Sequence, residues 1–290
     1  MAAPIEELAP AKINLSLRVL GRRPDGYHEL ESLVVFATFG DRLTLHPEEE
    51  FALTVSGPFA AVLDAENLVA TAVRRAQVAD PRLGIGAFHL EKNLPVAAGL
   101  GGGSSDAAAA LRALRRANPD HSAALDWPAL AAALGADVPV CFAACPALMR
   151  GTGERLHFIE RLPQVSIVLV NPRLPLSAGD VFRALNAAPL QALAVSNALP
   201  PSFGSFDDLV AYLHSSANDL EAPAKALCPE IEHVQAALAA QPTARLVRMS
   251  GSGPTCFALF TSRVEADTAA AAVAQREPGW WVTATDIAGT

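Results

Sequence analysis

Leu94-Pro95-Val96-Ala97-Ala98-Gly99-Leu100-Gly101-Gly102-Gly103-Ser104-Ser105-Asp106 is the stretch on which the reading of this chain turns. Four of the five positions from Gly99 to Gly103 are glycine, so the backbone there can turn tightly and approach a ligand with no Cβ in the way. The segment Asp106–Ala117 that follows is rich in alanine, with Ala107, Leu111 and Leu114 at helical spacing, and predicts a helix. The first amides of a helix lack intrahelical partners, and that end of the helix dipole is positive. A glycine loop feeding a helix N-terminus is the general recipe for holding phosphate, to which Ser104 and Ser105 add hydroxyls. The alternative is a flexible loop with an ordinary serine cap. Two other phosphate loops do not fit. A Walker A loop needs a lysine after its last glycine, and Gly103 is followed by Ser104. A dinucleotide fingerprint counted from Gly99 needs a glycine where Ser104 stands, and Pro95 separates the loop from the preceding strand.

Working outward, Lys12 to Leu20 alternates strictly: Ile13, Leu15, Leu17 and Val19 share one face, and Lys12, Asn14, Ser16 and Arg18 the other. That pattern predicts a half-buried strand. Arg22 to Gly26 reads as a turn, His28 to Phe39 as a second strand, and Leu43 with Leu45 as a third. A helix is expected over Glu66–Ala76, and a short strand over Ala87–Lys92. Val165–Val170 is an apolar strand, and Ala187–Ser205, rich in proline, alanine and serine, reads as a long excursion. The remainder reads helix (Phe206–His214), helix (Glu230–Ala240), strand (Leu246–Met249), glycine turn, strand (Cys256–Phe260), helix (Val264–Arg276) and strand (Trp281–Asp286). Strands followed by separate helices point to α+β. A domain boundary is expected near Glu160–Leu162, which gives 1–160 and 161–290.

Bulk properties narrow the class. Half the residues, 51%, are hydrophobic and 18% are charged, enough for a large core. The net charge of −8 argues against nucleic acid as the main partner, while a local cluster of donors can still hold an anionic small molecule. Cys141, Cys145, Cys228 and Cys256 form no Cys-x-x-Cys pair and no zinc spacing, so reduced thiols in a cytoplasmic protein are expected. Met1–Pro10 has no apolar run of the kind a signal peptide carries. The most apolar stretch, Leu130–Met149, is broken by Asp137, Pro139 and Pro146, which argues against a membrane span.

Several side chains can carry chemistry. Lys12 is either a solvated edge lysine or a charge for a phosphoryl group near the loop. Asp137, inside an apolar stretch, is either a turn or cap residue or a functional acid or base, and Lys12 is a natural partner for it. Tyr27-His28 follows the Asp25-Gly26 turn as a packed or ligand-contacting pair. Ser250-Gly251-Ser252-Gly253 is a turn between strands, or a second loop facing the phosphates.

Together these segments resemble the GHMP kinases. Pro95–Ser105 resembles their second motif, and Met249-Ser250-Gly251-Ser252-Gly253-Pro254 their third. Within that superfamily, four segments resemble the 4-(cytidine 5'-diphospho)-2-C-methyl-D-erythritol kinase family. They are Ala9–Leu15, Pro24-Asp25-Gly26-Tyr27-His28, Gly99–Asp106 and Leu134-Gly135-Ala136-Asp137-Val138-Pro139, in that order along the chain. The resemblance implies a ribosomal protein S5 domain 2-like N-terminal domain and a ferredoxin-like C-terminal domain. It implies phosphorylation by ATP, with Mg²⁺ expected, of the 2-hydroxyl of the methylerythritol moiety in the non-mevalonate isoprenoid route.

By position, Asp137 resembles the catalytic base and Lys12 its charged partner. Pro95, Val96, Ala97, Ala98, Gly99, Leu100, Gly101, Gly102, Gly103, Ser104 and Ser105 resemble the triphosphate loop, and Asn67 and Lys92 fall where the family contacts the nucleotide. Asn14, Tyr27, His28 and Phe182 fall with Asp137 where it holds the substrate, the two aromatic rings and His28 on the cytidine side. Ahead of Phe182 the family often has a threonine; Ala178 stands here, leaving Ser177 as the neighbouring hydroxyl. A monomer or homodimer acting on a small molecule, without nucleic acid or membrane, is expected. Another GHMP kinase, of homoserine or mevalonate type, is the alternative, and Tyr27-His28 argues against it. A non-catalytic nucleotide-binding module is the second, disfavoured by the presence of both Lys12 and Asp137.

Overall fold

The computed structural model describes residues 3–62, 67–123, 125–191 and 202–289. From the N-terminus run β1 (Ile5–Asn14), β2 (Arg18–Arg22), β3 (His28–His46), β4 (Ala52–Ser56), α1 (Leu68–Ala79) and β5 (Ala87–Glu91). The glycine loop leads into α2 (Gly102–Ala117), then α3 (Pro119–Ser122), α4 (Trp127–Ala132), α5 (Val138–Ala143), β6 (Ala147–Gly151) and β7 (Arg155–Phe158). β8 (Ser166–Asn171) is followed by α6 (Ala178–Leu185), α7 (Phe206–His214), α8 (Glu221–Leu227) and α9 (Glu230–Ala239). β9 (Leu246–Met249), β10 (Cys256–Phe260), α10 (Arg263–Arg276) and β11 (Trp281–Asp286) complete the chain.

The fold divides into two compact units, each built from separate stretches. The first takes residues 1–11, 39–96 and 101–144; the second takes 12–38, 97–100 and 145–290. β1 and β3 contribute residues to both.

In the first unit β4 pairs parallel with β5, and β5 pairs antiparallel with the end of β3, Leu43 opposite Leu90 and Leu45 opposite Phe88. Helix α1 packs on α2, and α2 on α5. The alanines 107–110 of α2 are all buried, which lets neighbouring helices approach closely. Asn67 caps α1, its side chain accepting from the Val69 amide at 2.8 Å.

In the second unit β2 and β3 form a hairpin and the start of β3 pairs with β6. A four-stranded antiparallel sheet has the order β11-β8-β10-β9. With β8 first in sequence, that is the ferredoxin-like arrangement, β-α-β-β-α-β, carrying α6, α7, α8 and α9 among the described residues of its first crossover. Val168, Val170, Ile231, Val234, Phe260 and Val273 lie in its core. Helix α10 starts at a capping box: Ser262 accepts from the Glu265 amide while Glu265 accepts from the Ser262 amide.

Three expectations are corrected. Lys12–Leu20 is not one half-buried strand: β1 ends at Asn14, β2 begins at Arg18, and residues 9–17 are buried on both faces. Alternation marks two chemically different faces, and here the polar one is covered as well. Leu43 and Leu45 do not start a third strand, because β3 runs unbroken through Gly40-Asp41. Glycine at position 40 is required by the close passage of β1, since a Cβ there would meet Pro10 Cα at 2.6 Å. The α2 helix begins at Gly102, four residues before the alanine-rich run. Of the expected excursion after Ala187, residues 192–201 lie outside the described residues, as does Glu66. Its first part is tied down: the Arg22 amide donates to the Ala188 carbonyl and the Leu190 amide to the Arg22 carbonyl.

Candidate active site

In the first unit the site is built on the N-terminus of α2. Gly101, at φ 63°, is the N-cap residue, and the first intrahelical bond runs from the Ser105 amide to the Gly101 carbonyl at 2.9 Å. The amides of Gly102, Gly103 and Ser104 precede that bond, so they are the helix donors with no carbonyl ahead of them. Gly103 is exposed and Ser104 half-buried. Ser105 is fully buried, and its hydroxyl donates to the Pro10 carbonyl at 2.7 Å, fastening the first turn of α2 to β1.

Beneath this turn lies a buried ionic cluster that the sequence reading did not assemble. Lys92 Nζ donates to Asp41 Oδ2 and, at 2.6 Å, to Asp106 Oδ2. The three side chains are at most 4% exposed. Lys92, expected at the nucleotide, thus has its ammonium engaged inside the unit. Asp137 stands half-buried at the N-cap of α5, yet its side chain makes no capping hydrogen bond. Asp137 lies in the turn that leads into α5, so its turn reading stands beside the functional one.

In the second unit, Ser250 is a hub. Its hydroxyl accepts from the Asn14 amide at 3.1 Å and donates to the Gly99 carbonyl at 2.9 Å. The Lys12 amide donates to the Leu100 carbonyl at 2.9 Å and the Thr255 amide to the Ala98 carbonyl at 3.3 Å. Residues 97–100 are therefore clasped between the start of the chain and the 250–253 turn. Gly99 must be glycine: its φ is 72°, and a Cβ would press on the Ser250 carbonyl and lie 2.8 Å from the Gly253 nitrogen. The turn itself hangs on Asn218, whose side-chain amide donates to the carbonyls of Met249 and Gly251 at 2.9 and 2.8 Å. The sequence carries no local sign of that long-range tie.

Lys12 is buried, 4% exposed. Asn14, also buried, donates to Ser32 Oγ at 2.7 Å, and Ser32 donates onward to the Ser16 carbonyl. Tyr27 is 65% exposed at the tip of the β2–β3 hairpin, where its amide donates to Asp25 Oδ1. His28 stacks on Phe182 of α6, with centroids 4.9 Å apart and planes 25° from parallel. Burial, and secondarily the positive charge of Arg22, lower the His28 pKa, favouring a neutral imidazole that can both donate and accept. Ser177, the hydroxyl beside Ala178, caps α6 by accepting from the Asp180 amide. Its proton remains available to a further acceptor.

Comparison with known proteins places this geometry. The family described as GHMP kinases N terminal domain matches residues 67–144, and GHMP kinases C terminal matches 191–278. A 4-diphosphocytidyl-2-C-methyl-D-erythritol kinase of Parvibaculum lavamentivorans is 50% identical over 287 residues, covering 97% of this chain and 98% of its own. The enzyme of that name from Xanthobacter autotrophicus is 51% identical over 283 residues, covering 94% and 96%. The crystal structure of a 4-(cytidine 5'-diphospho)-2C-methyl-D-erythritol kinase, 34% identical, superposes with a TM-score of 0.76 over 99% of this chain and all of that one. A homoserine kinase structure from Cytophaga hutchinsonii, 18% identical over 99% of this chain and 96% of its own, with a TM-score of 0.67, shares the fold. This chain belongs to the 4-diphosphocytidyl-2-C-methyl-D-erythritol kinase family of the GHMP kinases.

Proposed function

We propose that the chain transfers the γ-phosphoryl group of ATP to the 2-hydroxyl of 4-(cytidine 5'-diphospho)-2-C-methyl-D-erythritol, a step toward isoprenoid precursors outside the mevalonate route. The observation that carries this is near-full-length identity of about half to relatives of that name, on a chain in which the Ser250 hydroxyl joins Asn14 to Gly99.

The residues fit a nucleotide triphosphate. Glycines without side chains border the loop, and the amides of Gly102, Gly103 and Ser104 lie at the positive end of a sixteen-residue helix. ATP, accompanied by Mg²⁺, supplies the phosphoryl group and receives no covalent help from the chain. Phosphoryl transfer asks the protein chiefly for positioning and charge stabilisation. Asp137 is assigned as the base that takes the proton of the 2-hydroxyl, and Lys12 as a cation that offsets developing charge. Residues 95–105 and Asn67 are assigned to the nucleotide, with Lys92 beneath the loop. Asn14, Tyr27, His28 and Phe182 are assigned to the substrate. Neutral His28 offers a donor and an acceptor to a cytosine edge, and the exposed Tyr27 ring offers a stacking face. Residues 1–160 are the ATP-binding domain and 161–290 the second domain in this reading, and the site of action is the cytoplasm.

A coupled ADP-release assay tests it, with the cytidine-diphosphate substrate, homoserine and mevalonate offered side by side. ADP release with the first alone is expected. Equal turnover of either other alcohol would overturn the substrate assignment and leave the kinase class standing.

A further inference from the structure

The Lys92–Asp41–Asp106 cluster holds three ionisable side chains in the interior of the first unit. Removing three ionisable groups from water is repaid only where geometry and hydrogen bonding are nearly complete. Here they are almost so. Asp41 Oδ2 faces Lys92, while Asp41 Oδ1 accepts from the amides of Asn93 and Leu94 at 2.5 and 2.8 Å. Asp106 Oδ2 accepts from Lys92 at 2.6 Å, and Asp106 Oδ1 is buried with no partner.

The cluster's place along the chain is what gives it meaning. Asn93 and Leu94 are the last residues before Pro95, where the phosphate loop begins, and Asp106 lies in the second turn of α2, where the loop has ended. A Cβ on Gly102, the first residue of that helix, would lie 3.6 Å from Lys92 Nζ and 3.7 Å from Asp41 Oδ2. One ammonium thus joins the strand that approaches the loop to the helix that leaves it, directly under the first helix residue.

We propose that Lys92, Asp41 and Asp106 are positioning residues for the phosphate loop: Asp41 fixes the stretch that enters it, Asp106 the helix that leaves it, and the Lys92 ammonium joins the two. This rests on the assignment of residues 95–105 to the nucleotide. Two carboxylates around one ammonium would leave a buried net negative charge under a site meant for phosphates. Burial pushes the Asp106 carboxyl up to about 8, with Asp41 adding to the rise and Lys92 opposing it. A protonated Asp106 makes the cluster neutral.

Asp41 and Asp106 touch no ligand in this reading, so their variants separate positioning from contact. Isothermal titration with a non-hydrolysable ATP analogue, beside CDP and melting temperatures, tests the proposal. Asp106→Ala is expected to weaken the analogue about tenfold, the equivalent of about 1.4 kcal/mol, and CDP less than about twofold. Asp106→Asn, which keeps the acceptor for Lys92 and adds no charge, is expected to stay within about threefold of the native chain. Should Asp106→Ala not fold, Asp106→Ser is expected to show the same selective loss. Native analogue affinity in a folded Ala or Ser variant, or equal loss of both ligands, would overturn the proposal. So would failure of the native chain to bind the analogue. A native chain that binds it without turning over the cytidine substrate would contradict only the function above.

Discussion

Asp137 occupies the N-cap position of α5, half-buried, in the turn that leads into that helix. The account assigns that carboxylate to chemistry. Asp137→Asn keeps the shape and removes the charge, so the single-turnover rate should fall by roughly 10²–10⁴-fold, the span of general-base assistance. Affinities for both ligands should change far less, because the lost interaction belongs to the transition state. Lys12→Ala should also slow the step. The double variant should lose less than the sum of the two free energies, as expected for groups that act as a unit. A near-native rate in the asparagine variant, measured at saturating ligands beside its melting temperature, would remove Asp137 from the role of base.

At the scale of elements, the phosphate loop depends on a turn about 150 residues away. Gly99 lies against the Ser250–Gly253 turn with no room for a side chain. Gly99→Val should therefore weaken the ATP analogue by more than about tenfold, through strain at φ 72° and displacement of the turn. Titration calorimetry with circular dichroism checks this; unchanged affinity in a folded variant would mean that the loop tolerates another path. The sequence reading of elements worked best where periodicity and punctuation are local. β9, β10 and β11 are bounded as expected, and α10 starts one residue early at its Ser262 cap. It failed where burial on both faces erases contrast. β3 reads as two strands because Gly40-Asp41 looks like a break, and Leu130–Met149, an apolar run, hides α4, α5 and β6. The motif loops were legible because glycine, serine and a following helix carry phosphate chemistry in neighbouring residues. Asp41, Ser32 and Asn218 were not, since each acts through partners far along the chain.

For the whole molecule, a chain of net charge −8 is assigned two anionic ligands, ATP and a cytidine diphosphate. Global charge opposes both, so affinity must come from local donors: loop amides, a helix terminus and Lys12. Among the described residues no helix is long and apolar enough to cross a membrane. Cys141, Cys228 and Cys256 are buried and Cys145 is exposed. The family match spans nearly the full chain, so the fold leaves the substrate as the point to be tested chemically. The central claim is phosphorylation of one particular hydroxyl, a tertiary one. Phosphorus NMR of the product reads this directly, because a tertiary carbon bears no hydrogen. The account predicts a new phosphomonoester resonance without three-bond coupling to a carbinol proton, appearing in step with ADP. A resonance split by such protons would place the phosphate on a primary or secondary hydroxyl and contradict it.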